Sequence, residues 1–157
     1  MQTSFQSEPL GEKGVLIGVD LGEKTIGVAV SDPDRRLAVP VQTIRRSKFT
    51  KDAKELLRLA AERRAVGLVF GLPLNMDGTD SQRAQSTRAF VRNLARLSPL
   101  PAAFWDERLS TAAVEREMIA LDMSRAKRAE RIDGNAAAYI LQGALDRLRD
   151  ASERGTR

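Results

Sequence analysis

Three places in this chain put carboxylates where they can do chemistry: Asp20, the adjacent pair Asp106 and Glu107, and Asp133. Asp20 ends the run Val15-Leu16-Ile17-Gly18-Val19, which reads as a fully buried strand, and a glycine turn follows at Leu21-Gly22. Asp106-Glu107 closes the short run Ala102-Ala103-Phe104-Trp105, and Asp133 reads as the opening of the last helix. A carboxylate is expensive to bury unless it is paired or holds a metal. Acidic positions at strand ends and a helix start, where ligand sites of open α/β sheets gather, predict a shared site for divalent ions. Mg²⁺ or Mn²⁺ suits such an oxygen-only donor set. Two such ions ~3.5–4 Å apart activate a water and stabilise the leaving oxygen in phosphodiester cleavage. Neighbouring strand residues face opposite sides, so one member of the acidic pair joins the site directly. Glu107 is the preferred ligand and Asp106 the fallback. Each position also has a plain structural reading: a strand-ending turn for Asp20, helix capping or pairing with Arg108 for Asp106 and Glu107, and an N-cap before Gly134 for Asp133.

Composition narrows the chemistry. The 157 residues contain neither cysteine nor histidine. Disulfides, thiolate zinc sites, cysteine nucleophiles and imidazole bases are all excluded. Lys and Arg outnumber Asp and Glu by 26 to 21, a formal charge of +5 that suits a polyanionic partner. The basic residues Arg125, Lys127, Arg128 and Arg131 precede Asp133, where a phosphate backbone would need countercharge. Ser110 and Thr111 offer hydroxyls or a helix N-terminus to a phosphate, with simple capping as the alternative. Phe104, Trp105 and Tyr139 are expected in the core. The first residues lack the pattern of a secretory signal, and no apolar stretch approaches the ~20 residues of a membrane span. The expected location is the cytoplasm.

The elements that must position these groups form one α/β domain over residues 15–149. Residues 1–14 read as a flexible lead-in and 150–157 as a frayed tail. Strands are predicted at 15–21, 26–32 and 37–45, and their short joints make an antiparallel meander. A helix near 50–64, a strand at 66–70 and a helix near 80–97 follow. The second helix opens on a capping box, Thr79 with Gln82. A strand at 102–106, a helix over 111–121, a basic segment at 122–131 and a last helix over 132–149 complete the order βββαβαβαα. That is a mixed five-stranded sheet with helices packed on its faces. In the last helix Asp133, Ala136, Ala137, Ile140, Leu141, Ala144, Leu145 and Leu148 follow one helical stripe. The small alanines let this helix approach the sheet closely.

Four segments in order carry a resemblance to a known family. They are Gly18-Val19-Asp20-Leu21-Gly22 running to Gly27-Val28-Ala29-Val30-Ser31-Asp32, then Gly71 to Gly78, then Asp106-Glu107-Arg108-Leu109-Ser110-Thr111, and Arg131-Ile132-Asp133 with Ala136 to Gln142. Over about residues 14–148 the chain resembles the YqgF-type bacterial family, described both as Holliday-junction resolvases and as nucleases of the 5′ end of pre-16S ribosomal RNA. The resemblance implies an RNase H-like fold and metal-dependent nuclease chemistry. It carries the acidic positions onto Asp20, Glu107 (with Asp106 beside it) and Asp133. After the first glycine such proteins often have a basic pair, where this chain has Lys24-Thr25, so the resemblance implies a nucleic-acid contact for Lys24 and assigns none to Thr25. The Gly71–Gly78 loop is either part of a substrate groove or a rigid connector.

The leading function is therefore a metal-dependent nuclease acting on structured nucleic acid, first in maturation of the pre-16S rRNA 5′ end. Resolution of branched DNA is the runner-up, and a non-catalytic nucleic-acid-binding ribosome-assembly factor is the alternative of another class. A monomer and a homodimer are both open. The glycine turn after Asp20 also resembles the phosphate loop of actin-like ATPases, which need two such domains and a longer chain.

Overall fold

β1 (Leu16–Leu21) is buried along its whole length, as expected for a continuous apolar run at the centre of a sheet. β2 (Thr25–Ser31) returns antiparallel to it, placing Asp20 opposite Gly27. β3 (Ala38–Arg45) pairs antiparallel with β2, with a register shift between Val28 and Ala29. β4 (Gly67–Leu72) lies parallel to β1 on its other side, and β5 (Ala102–Asp106) lies parallel to β4. The sheet order is β3-β2-β1-β4-β5, the mixed five-stranded arrangement read from the sequence. The computed structural model describes residues 8–109 and the backbone of 125–155, with side chains over 9–109 and 136–151.

The pleat of β1 sorts its residues onto two cores. Ile17, Val19 and Leu21 face α1 (Phe49–Glu62) and α2 (Gln82–Ala95), joining Leu56, Phe70 and Phe90. Leu16 faces the other way, onto α3 (Arg125–Gly155), with Val69, Trp105, Ile140 and Leu141. The α3 stripe read from the sequence is buried from Ala136 to Leu145. Gly18 is what lets it come so near. A Cβ there would stand 2.6 Å from Leu141 Cβ and 3.0 Å from the Ala137 carbonyl oxygen. Phe104 and Tyr139 pack as partly buried members of the two cores and Trp105 is fully buried.

Three boundaries differ from the sequence expectation. α2 is capped by Ser81, whose hydroxyl accepts from the Ala84 amide; Thr79 instead closes a turn with Asn75. Asp77 takes the Thr79 amide and hydroxyl, and those bonds hold its carboxyl below the usual range. The second difference is in α3, which starts at Arg125 instead of near residue 132. Asp133 therefore sits inside a helix instead of opening it, and the basic stretch 125–131 is helical backbone. The same helix runs on to Gly155, through much of the stretch read as a frayed tail. The helix expected over 111–121 lies outside the described residues.

The third difference concerns residues 8–14, read from sequence as part of a flexible lead-in. Glu8–Leu10 form a single 3-10 turn and Leu10 is buried against Leu16 and Trp105. Arg35 holds the segment there. Its guanidinium donates to the carbonyls of Leu10, Gly11, Lys13 and Gly14 at 2.7–2.9 Å. Arg35 itself stands at φ +57°, in the turn closed by its amide on the Asp32 carbonyl. The Leu37 and Arg36 amides on Asp32 complete this turn and hold its carboxyl below the usual range. Arg35→Ala is expected to destabilise the protein by about 3 kcal/mol, because four carbonyls lose one charged donor at once. For a chain of this size that is a fall of roughly 6–12 °C in Tm, read by thermal melting. A melting point unchanged by the substitution would show the segment is held by other contacts.

Candidate active site

Asp20 is the penultimate residue of β1 and is buried to 3% exposure. It shares the parity of Leu16 and Gly18, so the pleat turns it to the α3 side. The β1–β4 register pairs Val19 with Phe70, which makes Gly71 the neighbour of Asp20 on the next strand. Gly71 in turn pairs with Trp105 of β5, two residues before Glu107. The two acidic ends thus flank a glycine. That glycine is a close-approach position. A Cβ at Gly71 would lie 2.4 Å from Ile140 Cδ1 and 3.1 Å from Glu107 Oε2. The Glu107 carboxylate therefore reaches over Gly71 on the α3 side, the side to which Asp20 is turned, and it is buried to 5% exposure.

Asp106 does something else. Its carboxylate binds the Arg108 guanidinium at 2.7 Å and accepts the Arg108 amide at 3.0 Å. These bonds raise the Arg108 pKa above its ordinary value. Arg108 also donates to the Met76 carbonyl, tying the end of β5 to the Gly71–Gly78 loop. The loop is cross-linked internally as well, by Asn75 amide to Thr79 carbonyl and Ser81 hydroxyl to Pro73 carbonyl. Gly78 at φ +88° allows its tight bend.

The third acidic position, Asp133, lies on α3 one helical turn before Ala137, the residue whose carbonyl meets β1 at Gly18. Its side chain is outside those described, as are the side chains of Arg125, Lys127, Arg128 and Arg131; Ser110 and Thr111 lie outside the described residues altogether. Among the described residues no three acidic groups converge. Lys24 is exposed in the β1–β2 turn, and its carbonyl accepts the Arg46 amide.

Two arginines that sequence reading did not single out stand at Asp20 and at the turn after it. Arg83, in the first turn of α2, comes 3.7 Å from Asp20 Oδ1 and donates to the Leu21 carbonyl at 3.3 Å. Arg46 donates to the Gly22 carbonyl at 2.7 Å. Neither contact has a local sequence signal, since each spans at least 24 residues.

Comparison with known proteins places the chain in a family. The RuvX family, described as Holliday junction resolvase, matches residues 14–147. The chain belongs to the RuvX family. It is 69% identical over 137 residues to a protein of Bradyrhizobium sp. (strain ORS 278) named "Putative pre-16S rRNA nuclease", a match covering 87% of this chain and 85% of the relative. A protein of the same name in Nitrobacter winogradskyi is 67% identical over 144 residues, covering 92% and 87%. The fold is similar to RuvC of T. thermophilus solved with a Holliday junction substrate, with a TM-score of 0.55 at 15% identity, covering 84% of this chain and 93% of that one. The yeast mitochondrial Holliday junction resolvase Ydc2 gives 0.54 at 10% identity, covering 94% and 84%. RuvX membership makes the chain a nuclease, a hydrolase of phosphodiester bonds. No helix among the described residues is long and apolar enough to cross a membrane.

Proposed function

We propose that this RuvX protein is a divalent-metal-dependent nuclease that trims the 5′ end of pre-16S ribosomal RNA in the cytoplasm. The observation that carries the reading is the pair of buried carboxylates, Asp20 and Glu107, on either side of Gly71 and on one face of the sheet. An oxygen-only donor set of this kind, in a chain without His or Cys, fits Mg²⁺ or Mn²⁺. Asp20, Glu107 and Asp133 would hold the metal, two ions in our reading, with Asp106 kept on Arg108. When bound, the metal supplies an activated water and countercharge for the leaving oxygen. The protein's own part is positional. Gly71 opens the space between the two carboxylates, Arg83 steadies Asp20, and α3 closes the face. Lys24, Ser110, Thr111, Arg125, Lys127, Arg128 and Arg131 are assigned to the phosphate backbone of the substrate.

A second reading, resolution of four-way DNA junctions, is favoured by the description of the matching family. It requires a symmetric dimer, because two opposed strands must be cut. Incubating the protein with a precursor 16S 5′ fragment and with a four-way DNA junction, each with Mg²⁺ or Mn²⁺, separates the two. Cleavage of the rRNA fragment alone is the expected result; symmetric nicking of the junction alone would overturn the rRNA assignment.

A further inference from the structure

The turn that follows Asp20 is held by two guanidinium groups on successive carbonyls, Arg83 on Leu21 and Arg46 on Gly22. They line a cleft of ≈190 Å³ together with Gly22, Glu23 and Gln82. That is smaller than the ~300 Å³ at which pockets for drug-sized ligands begin, and suits a phosphate with part of its sugar. Arg46 is steadied from behind by Asp52, whose Oδ2 lies 3.9 Å from Arg46 Nε. Asp52 is buried and anchored by the Ser47 amide at 3.1 Å. Among the described residues these contacts engage Nη2 of Arg83 and Nη1 and Nε of Arg46. A guanidinium carries five N–H donors, so both arginines keep donors for the paired bonds with which arginine grips phosphate. Gln82 and Arg83 are also the first two residues of α2, whose positive end adds to the attraction. Glu23 is exposed at the rim, and neighbouring Lys24 offsets its charge.

We propose that Arg46 and Arg83 form a subsite for one backbone phosphate of the substrate strand, next to the phosphate that is cut. The inference rests on the nuclease reading, because the cleft opens one residue past Asp20. Its chemistry is shared by RNA and DNA, so it sets the path of the strand without choosing the sugar. Arg83 has a second consequence. It ties the subsite to the reaction centre through its contact with Asp20, and acts there as a positioning residue.

The test is equilibrium binding in EDTA of a fluorescein-labelled four-way DNA junction and of a labelled RNA single strand, measured across a KCl series. Arg83→Gln is expected to weaken binding roughly tenfold. It should also lower the salt slope by about 0.9 for the duplex arms or 0.7 for the single strand. Arg83→Lys, which keeps the charge, should retain the slope. Arg46→Gln should match Arg83→Gln. If Arg46→Gln melts early through loss of its bond to Gly22, the two Arg83 variants decide alone. A folded Arg83→Gln protein with wild-type affinity and slope would overturn the subsite. Wild-type cleavage with Mg²⁺ is measured on the same preparations. A wild type that cuts while Arg83→Gln binds unchanged removes the subsite and leaves the nuclease. A reduced slope in a protein that never cuts supports the subsite and removes the catalytic reading.

Discussion

Asp20→Asn is expected to leave the protein folded and lower its cleavage rate by more than about 10²-fold. Changes one shell out from a metal already cost ~10–100-fold, and Asp20 is assigned as a direct ligand. Asparagine keeps the size of the buried side chain and removes its charge, so packing persists while the ion loses a ligand. Arg83 then loses its carboxylate neighbour at 3.7 Å and remains a cation at the edge of the groove. Binding of nucleic acid should therefore persist or tighten as cutting disappears. Cleavage and binding assays on one preparation check both halves. An Asp20→Asn protein that cuts like wild type would show that Asp20 does not hold the ion and would transfer the chemistry elsewhere.

Gly71→Val is the second large effect. Its Cβ alone would meet Ile140 Cδ1 at 2.4 Å and Glu107 Oε2 at 3.1 Å, and valine adds two methyl groups to that clash. Ile140 is fully buried, so it has little room to retreat. Overpacking of this kind costs about 1–3 kcal/mol. The displacement of Glu107 matters more, since a misplacement of ~1 Å at a reacting centre can cost 10²-fold in rate. Melting and cleavage together give the answer. The expected result is a rate loss far larger than the lost fraction of folded protein explains. A stable Gly71→Val protein with wild-type cleavage would mean that Glu107 does not act over Gly71.

Much of the fold was written in local pattern. The unbroken apolar run at 15–19 specified a central strand, and the short joints after it specified the meander. The spacing from Ala136 to Leu145 specified the face that α3 buries. Strand parity set Asp106 and Glu107 on different sides without choosing between them; Asp106 is engaged by Arg108 and Glu107 lies over Gly71. The start of α3 was not legible. Asp133-Gly134 looks like a helix opening because Gly disfavours a helix interior by ~1 kcal/mol, and the observed helix runs through it. Ser81 took the cap of α2 from Thr79 because the Asp77-Gly78 turn had already claimed Thr79. Arg35, Arg46 and Arg83 were invisible for another reason. The carbonyls that their guanidinium groups grip lie at least 21 residues away, and only the folded sheet brings them together. Gly71 carried a signal that was left unused, since a glycine at the end of a buried strand marks close approach by another group.

Asp20, Glu107 and Asp133 are proposed to hold the divalent ions that phosphodiester cleavage would need, and metal removal with add-back tests this most directly. The protein is treated with EDTA, freed of chelator, and given a precursor 16S 5′ fragment with no metal, with Mg²⁺, or with Mn²⁺. With no histidine in the chain, no imidazole can stand in as the general base. Cleavage is expected to vanish without metal and to return with either ion, while Asp20→Asn stays inactive under all three conditions. Equal cleavage by the wild type with and without metal would contradict the account.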